Sequence, residues 1–260
     1  MQMAGFSFGS GGSNNAAAMT QNIYDNDQFF AGYSQLPRSQ RGLEGAPEWG
    51  SLRAMLPEIE GLRVLDLGCG MGWFCRWAFD RSALSVTGID VSQKMLARAR
   101  EESDATIQYL EADLEHLTIS RGSADLVYSS LAFHYLRNLD ALMAEIAGAL
   151  VPGGRLVFSV EHPMVTAPFY PGWQKDKDGM RTWPVNHYLE DGTREVGWLG
   201  KDVVKQHRSM TTYLNMLIRH GLTLTHIEEW GPTDAQAAAQ PSLLDERQRP
   251  NFLLVSAMRH

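Results

Sequence analysis

The stretch from Arg63 to Gly72 constrains this chain more than any other. Arg63-Val64-Leu65-Asp66-Leu67 is a short apolar run bounded by Gly61 and Gly68, the pattern of a parallel strand buried on both faces. Gly68-Cys69-Gly70-Met71-Gly72 turns the chain, and Trp73 to Arg81 reads as a helix. A strand ending in glycines ahead of a helix lets backbone approach a ligand closely, because glycine lacks a Cβ and tolerates positive φ. The glycines stand at 68, 70 and 72, not in the G-x-G-x-x-G order of a dinucleotide fingerprint. Asp66, two residues ahead of them, would repel a pyrophosphate and suit an ammonium group.

Strand and helix keep alternating beyond the turn. Ser85 to Ile89 reads as a strand ending at Asp90, and Ser92 is a candidate N-cap for a helix through Glu102. Ile107 to Glu111 and Asp125 to Ser129 read as strands. Asp140 to Leu150 is an amphipathic helix stopped by Pro152-Gly153-Gly154, and Arg155 to Val160 is the fifth strand. This rhythm predicts an α/β fold with a doubly wound, mostly parallel sheet, whose ligands sit at the carboxyl ends of strands near the switch in strand order. Acids stand at the ends of three successive strands: Asp66, Asp90 and Asp113. Asp90 suits the two hydroxyls of a ribose and Asp113 an exocyclic adenine amine. Any one of them also reads as a helix cap or loop acid, but solvated surface does not explain three at consecutive strand ends.

After Val160 the rhythm breaks. Residues 163–200 are rich in Pro, Gly and aromatics, including Phe169, Tyr170, Trp173, Trp183, Tyr188 and Trp198. That is too long for an ordinary connection; it is either a self-packed surface excursion or a lid over an apolar or aromatic substrate. Residues 205–220 read as a helix, with strands over Leu222 to Glu228 and Asn251 to Met258. The organisation expected is one domain over 19–260, with an N-terminal helical cap at 19–59, a core at 60–162 and 201–260, and the aromatic-rich insertion at 163–200. Residues 1–18, rich in Gly, Ser, Asn and Ala, read as a disordered tail or an expression scar ahead of Met19.

A chain of 260 residues, 44% hydrophobic, can bury one large core. Its formal charge of −7 (23 minus 30), without a basic block, argues against nucleic acid as a partner. Cys69 and Cys75 offer neither a disulfide framework nor a zinc ligand set, so no metal is expected. No apolar run approaches the roughly 18 residues of a membrane span. A cytoplasmic protein without membrane contact is the expectation, and oligomeric state is not legible.

The motifs VLDLGCGMGWF, GIDVSQKML, EADLEHL, DLVYSSLAFHYL and LVPGGRLVFSVEHP, in this order over residues 60–163, resemble those of class I S-adenosylmethionine-dependent methyltransferases, closest to the small-molecule type 11 branch. The resemblance implies a Rossmann-like methyltransferase fold, with seven strands of which one near the edge is antiparallel. It implies S-adenosylmethionine as cofactor and S-adenosylhomocysteine as product. Asp66, Gly68 and Gly70 would then face the amino acid portion, Asp90 the ribose, Val91 and Met95 the adenine faces, and Asp113 and Leu114 the adenine edge. Ser129, Ser130 and Leu131 would lie beside the methionine portion. Cys69 fits the turn as a small apolar residue, and Trp73 would pack near the methionine portion. Similar enzymes carry a helical cover ahead of the first strand, where Tyr24, Tyr33 and Arg38 would touch the cofactor, although Phe29, Phe30 and Tyr33 also have the spacing of a packed cap.

Methyl transfer needs an aligned nucleophile and, for a thiol, phenol or ammonium acceptor, a base; histidine suits that task. His134 and His162 follow the fourth and fifth strands and are the catalytic candidates, His134 first. His207, Tyr135 and Trp173 are candidates for the substrate side. Lys205 and Arg208 read first as a solvated helix face and second as anchors for an acidic substrate group. The acceptor expected is a small, partly apolar or aromatic molecule. Two alternatives are a nicotinamide-type oxidoreductase and a non-catalytic cofactor-binding module.

Overall fold

In the computed structural model, which describes residues 20–260, the strand and helix alternation builds a seven-stranded sheet; the reading of residues 1–18 lies outside the described residues. Three short helices come first: α1 (Asp27–Tyr33), α2 (Pro37–Gln40) and α3 (Trp49–Met55). The core then runs β1 (Arg63–Leu67), α4 (Trp73–Phe79), β2 (Ser85–Asp90), α5 (Gln93–Glu101), β3 (Gln108–Glu111), β4 (Ala124–Ser130), α6 (Leu139–Ala149) and β5 (Leu150–Glu161). An excursion follows, with α7 (Pro163–Thr166) and two hairpins, β6 (Gln174–Lys175) with β7 (Arg181–Thr182) and β8 (Gly192–Trp198) with β9 (Lys201–His207). The chain closes with α8 (Met210–Arg219), β10 (Leu222–Glu229), α9 (Asp234–Ala239) and β11 (Phe252–Arg259).

The strand order is β10-β11-β5-β4-β1-β2-β3. All neighbours are parallel except β11, which runs against both β5 and β10. The order reverses between β1 and β4, so a crevice opens at their carboxyl ends. Alternate residues serve opposite faces of the sheet: Leu65, Val127, Leu156 and Phe158 pack with α6 and α8, while Val64, Leu126, Tyr128 and Val157 pack with α3, α4 and α5. Both faces are covered, which is why these strands read as unbroken apolar runs. Among the described residues no helix is long and apolar enough to cross a membrane.

Two sequence expectations change here. The fifth strand begins at Leu150, and the Pro152-Gly153-Gly154 segment lies within it as an irregularity: Ala124 faces Leu150, yet Leu126 already faces Arg155. The helix expected over residues 205–220 starts only at Met210, capped by Ser209, whose Oγ accepts from the Thr212 N–H at 3.2 Å. Lys205 to His207 belong to β9, paired with β8 from Trp198↔Lys201 to Gly192↔His207. The β-branched pair Val203-Val204 carried that signal. The two residues of the hairpin loop, Leu199 (φ 50°) and Gly200 (φ 75°), are both left-handed, as a tight two-residue connection requires. Leu199 packs against Gly32 of α1, joining the excursion to the N-terminal helices.

Candidate active site

The glycine turn is shaped by three positive φ angles: 76° at Gly68, 52° at Gly70 and 74° at Gly72. A Cβ at Gly68 would stand 2.3 Å from the Cβ of Ala132, after β4, and one at Gly72 would stand 2.2 Å from the Tyr109 hydroxyl. Gly70 differs, since none of the described residues lies within 4 Å of where its Cβ would be. Its N–H donates to Asp90 Oδ2 at 2.9 Å, which ties the turn to the end of β2.

Two adjoining cavities occupy the crevice. The larger, about 380 Å³, runs from Asp113 and Leu114 past Asp90 to His134, Glu161 and Lys205. The smaller, about 100 Å³, lies between the glycine turn and α2–α3 and shares Tyr33, Arg38, Gly68, Gly70 and Ser130 with the first. Asp66, Cys69 and Trp73 line this smaller space. Burial raises the Asp66 carboxyl to about 7. Arg38 pairs with buried Glu48 at 2.8 Å. Among the described residues, Trp73 Nε1 is buried without a hydrogen-bond partner. An acid short of counter-charge, a guanidinium and an orphaned N–H are what a zwitterionic amino acid group would complete.

At the other end of the glycine turn, burial raises the Asp90 carboxyl, although the N–H groups of Ser92, Gly70 and Val91 counter it. Met95 follows on α5, which Ser92 caps by accepting from the Met95 N–H at 3.2 Å. Asp113 accepts from the Thr20 N–H (3.1 Å), the Thr20 hydroxyl (2.6 Å) and the Glu115 N–H (3.0 Å). Burial pushes its carboxyl up, but these donors hold it below the ordinary aspartate range. Val91, Met95 and Leu114 supply apolar wall between Asp90 and Asp113.

The opposite end is roofed by aromatics from two elements. Tyr24 meets Tyr33 edge-on at 5.0 Å, and its hydroxyl lies 3.3 Å from that of Tyr135. Trp198, at the tip of β8, meets Tyr33 at 6.1 Å and Phe29 at 5.4 Å. Beneath them Lys205 Nζ pairs with Glu161 Oε1 at 2.5 Å. Burial pushes the Glu161 carboxyl up, but His134 and Lys205 hold it below the glutamate range. His134 Nδ1 accepts from the Glu161 N–H at 3.3 Å, whereas its Nε2 is buried without a partner among the described residues. Burial drives the His134 imidazole down to about 4, with Lys205 and Arg208 adding to the effect against Glu161. His134 is therefore neutral near pH 7, and its hydrogen bonds assign the proton to Nε2.

Most of the sequence candidates converge on this crevice: Tyr24, Tyr33, Arg38, Gly68, Gly70, Asp90, Val91, Met95, Asp113, Leu114, Ser130, Leu131, His134 and Tyr135 line the larger cavity, and Asp66, Cys69 and Trp73 the smaller. Four candidates are not brought there. Ser129 Oγ donates to the Leu67 carbonyl at 2.7 Å and ties β4 to β1. His162 caps α7, Nδ1 accepting from the Met164 N–H at 3.1 Å while Nε2 meets Glu229 at 2.9 Å. His207 is spent between the Thr166 hydroxyl (2.8 Å) and the Tyr188 carbonyl (2.9 Å). Trp173 packs on Trp183 and Arg181 at the outer hairpin. Lys205 and Arg208, read as a solvated helix face, are both buried. Thr20, Glu161 and Phe252 line the cavity without having been singled out. Glu161 ends β5 as Asp90 ends β2, so its position carried a signal; Thr20 and Phe252 arrive from chain ends that no local pattern relates to the turn.

Residues 65–158 match the family model described as a methyltransferase domain. A crystal structure of an S-adenosylmethionine-dependent methyltransferase from Mesorhizobium loti is similar at a TM-score of 0.81, with 55% identity, over 84% of this chain and 100% of that one. A putative enzyme of the same kind from Listeria monocytogenes gives a TM-score of 0.78 and 37% identity over 84% of this chain and 99% of its own. A malonyl-[acyl-carrier protein] O-methyltransferase of Pectobacterium atrosepticum is 35% identical over 131 residues, 50% of this chain and 51% of that protein. Carboxylates at the ends of β1 and β2, an open glycine turn between them and solved relatives that cover 84% of the chain lead to one assignment: the chain belongs to the class I S-adenosylmethionine-dependent methyltransferases, with S-adenosylmethionine as its cofactor.

Proposed function

We propose that this methyltransferase acts on a small, partly apolar acceptor that enters beneath Tyr24, Tyr135 and Trp198. The observation that carries the reading is the roofed end of the cavity, where apolar side chains surround one short polar floor made of His134, Glu161 and Lys205. A cavity of about 380 Å³ lies near the lower end of the range for ligand sites.

Asp66, Arg38 and Trp73 would hold the cofactor's amino acid portion, Asp90 its ribose, and Met95, Val91 and Leu114 its adenine. When bound, S-adenosylmethionine supplies a methyl group already activated on a sulfonium. What remains for the protein is alignment and exclusion of water, which together can supply several kcal/mol of barrier lowering, on the order of 7 or more in favourable cases. Tyr24, Tyr33, Tyr135 and Trp198 exclude water, and the Nε2–H of His134 orients the acceptor by donating to it.

The decisive test has two parts. S-adenosylhomocysteine at 100 times its Kd should stabilise the protein by about 2.7 kcal/mol, whereas NAD and NADP should shift nothing. Incubation with methyl-labelled cofactor and a metabolite extract should then yield a labelled small molecule; label found only on protein or RNA would overturn the small-acceptor reading.

A further inference from the structure

We propose that Glu161 is the catalytic base of the transfer and that the acceptor is a neutral, acidic hydroxyl, a phenol or an enol, which leaves as its methyl ether. The proposal rests on the assignment above of the roofed end of the cavity to the acceptor. It follows from which hydrogen-bonding positions on the polar floor are still open.

Glu161 ends β5 and lines the larger cavity. One carboxylate oxygen, Oε1, is spent on Lys205 Nζ at 2.5 Å. Oε2 has no partner among the described residues, and the side chain keeps 22% of its surface open. Lys205 and Glu161 cancel in charge, so the pair is neutral but presents one unpaired carboxylate oxygen. An acceptor carboxylate placed there would meet like charge, and an ammonium would bring a second cation beside Lys205. What Oε2 can take is a hydrogen-bond donor with no charge of its own.

His134 narrows that donor further. Its Nδ1 accepts from the Glu161 N–H, and its Nε2–H has no partner among the described residues. No lone pair of this imidazole is left to act as base, and His162 and His207 use both ring nitrogens elsewhere. His134 therefore serves as a donor. A neutral amine that accepts from Nε2–H spends its one lone pair and keeps none for the methyl group. A hydroxyl has two lone pairs and one O–H, so it can donate to Glu161 Oε2, accept from His134 and still attack. A thiol makes both hydrogen bonds weakly. Trp198, Val196, Leu136 and Phe252 supply apolar wall for the ring or chain that carries the hydroxyl.

The step balances. The O–H proton goes to Glu161 Oε2, the oxygen forms the bond to the methyl carbon, and the carbon–sulfur bond breaks with its electron pair going to sulfur. One positive charge on sulfur and one negative charge on Glu161 disappear together, so the net charge of the site is unchanged. The charged and titratable groups around Glu161 are His134 and Tyr135 after β4, Lys205 of β9, Tyr213 of α8 and Arg249 ahead of β11. Burial pushes the Glu161 carboxyl up, but His134 and Lys205 hold it below the glutamate range, so it is ionised and able to take a proton near pH 7.

The test follows the methyl carbon. The full chain is incubated with a metabolite extract and S-adenosylmethionine labelled with heavy carbon in its methyl group, and carbon–proton correlation NMR reads which atom carries the label. The expected product is a methyl ether, which survives alkali; label on nitrogen, sulfur, carbon or an alkali-labile ester would overturn the proposal. Initial rates into that product then test Glu161. E161Q should keep the S-adenosylhomocysteine shift in Tm yet lose about a hundredfold or more in kcat, and regain rate as pH rises toward the ionisation of a free phenol near 10. K205M should move the acid limb of kcat/KM to higher pH, since Lys205 helps to hold the Glu161 carboxyl down. K205M/E161Q, which leaves no lone buried charge and so guards against a misfolded single variant, should fall as far as E161Q. A kcat kept within about threefold in E161Q or the double variant, or an acid limb unmoved in K205M, would overturn Glu161 as the base. An extract that yields no labelled small molecule removes the function proposed above and this inference with it, whereas label on another atom removes this inference alone.

Discussion

Asp66 is the residue at which the fold meets the proposed cofactor site. It sits in β1 on the face that packs against α3 and α4, where its one side-chain hydrogen bond comes from the Cys75 thiol at 3.4 Å. Burial raises its carboxyl to about 7. The sign of the pH effect follows. A carboxyl whose folded pKa is raised contributes stability that is full below the ordinary 3.8 and is lost as pH rises through about 7. An ammonium bound beside it favours the ionised form, so ligand binding releases a proton at low pH. Affinity for S-adenosylhomocysteine, measured by calorimetry, should therefore be greatest near pH 8, where Asp66 is ionised and the ligand still carries its ammonium, and weaken toward about tenfold per pH unit well below 7. Asp66→Asn should bind more weakly and remove most of that slope; an unchanged slope would separate Asp66 from the ammonium.

At the scale of elements, the crevice depends on how closely the turn after β1 approaches the loop after β4. Gly68 permits that approach, and Leu131 on the other side is itself left-handed (φ 54°), held by its N–H on the Ser159 carbonyl at 3.0 Å. Gly68→Ala combines a strained φ with a 2.3 Å encounter with Ala132. It should cost about 2 kcal/mol or more, on the order of 4–8 °C in Tm, and lower cofactor affinity as well. Gly70→Ala shares the backbone strain of a positive φ (52°) but meets open space, so it should destabilise the fold less than Gly68→Ala and its steric cost should fall on ligand binding; comparing the two variants by thermal unfolding with and without S-adenosylhomocysteine checks the distinction. The β8–β9 hairpin is a second such element. His207 and Arg194 fasten it to α7 and the preceding loop through Thr166 and the carbonyls of Ala167 and Glu190, which brings Trp198 over the cavity. His207→Ala should raise KM for the acceptor more than for the cofactor, as steady-state kinetics with each varied in turn would show.

At the scale of the whole molecule, two segments far apart in the chain close one cavity. Residues 20–25 fasten across it, Thr20 on Asp113, Gln21 on β9 through Asp202 and Val204, and Asp25 on Ser92. Opening of this strap or of the hairpin tip would widen access to the cavity. Hydrogen exchange should slow together over 20–36 and 196–204 when S-adenosylhomocysteine binds; protection of one without the other would show that they do not move as a unit. The sequence by itself determined the sheet and the cofactor end, because strand periodicity, the glycine turn and the acids of β1 and β2 are local patterns, each fixed within a few residues by backbone sterics. It also determined the family through the order of those patterns. Only the tertiary structure decided the acceptor end. Whether His134, His162 or His207 faces the cavity depends on which partners saturate each imidazole, and those partners lie up to 67 residues away. Lys205 reads alike on a solvated helix and on a buried strand until β8 pairs with it. Burial and hydrogen-bond saturation are properties of the assembled chain, and they select Glu161, Lys205 and Trp198 for the acceptor end while removing His162 and Trp173 from it.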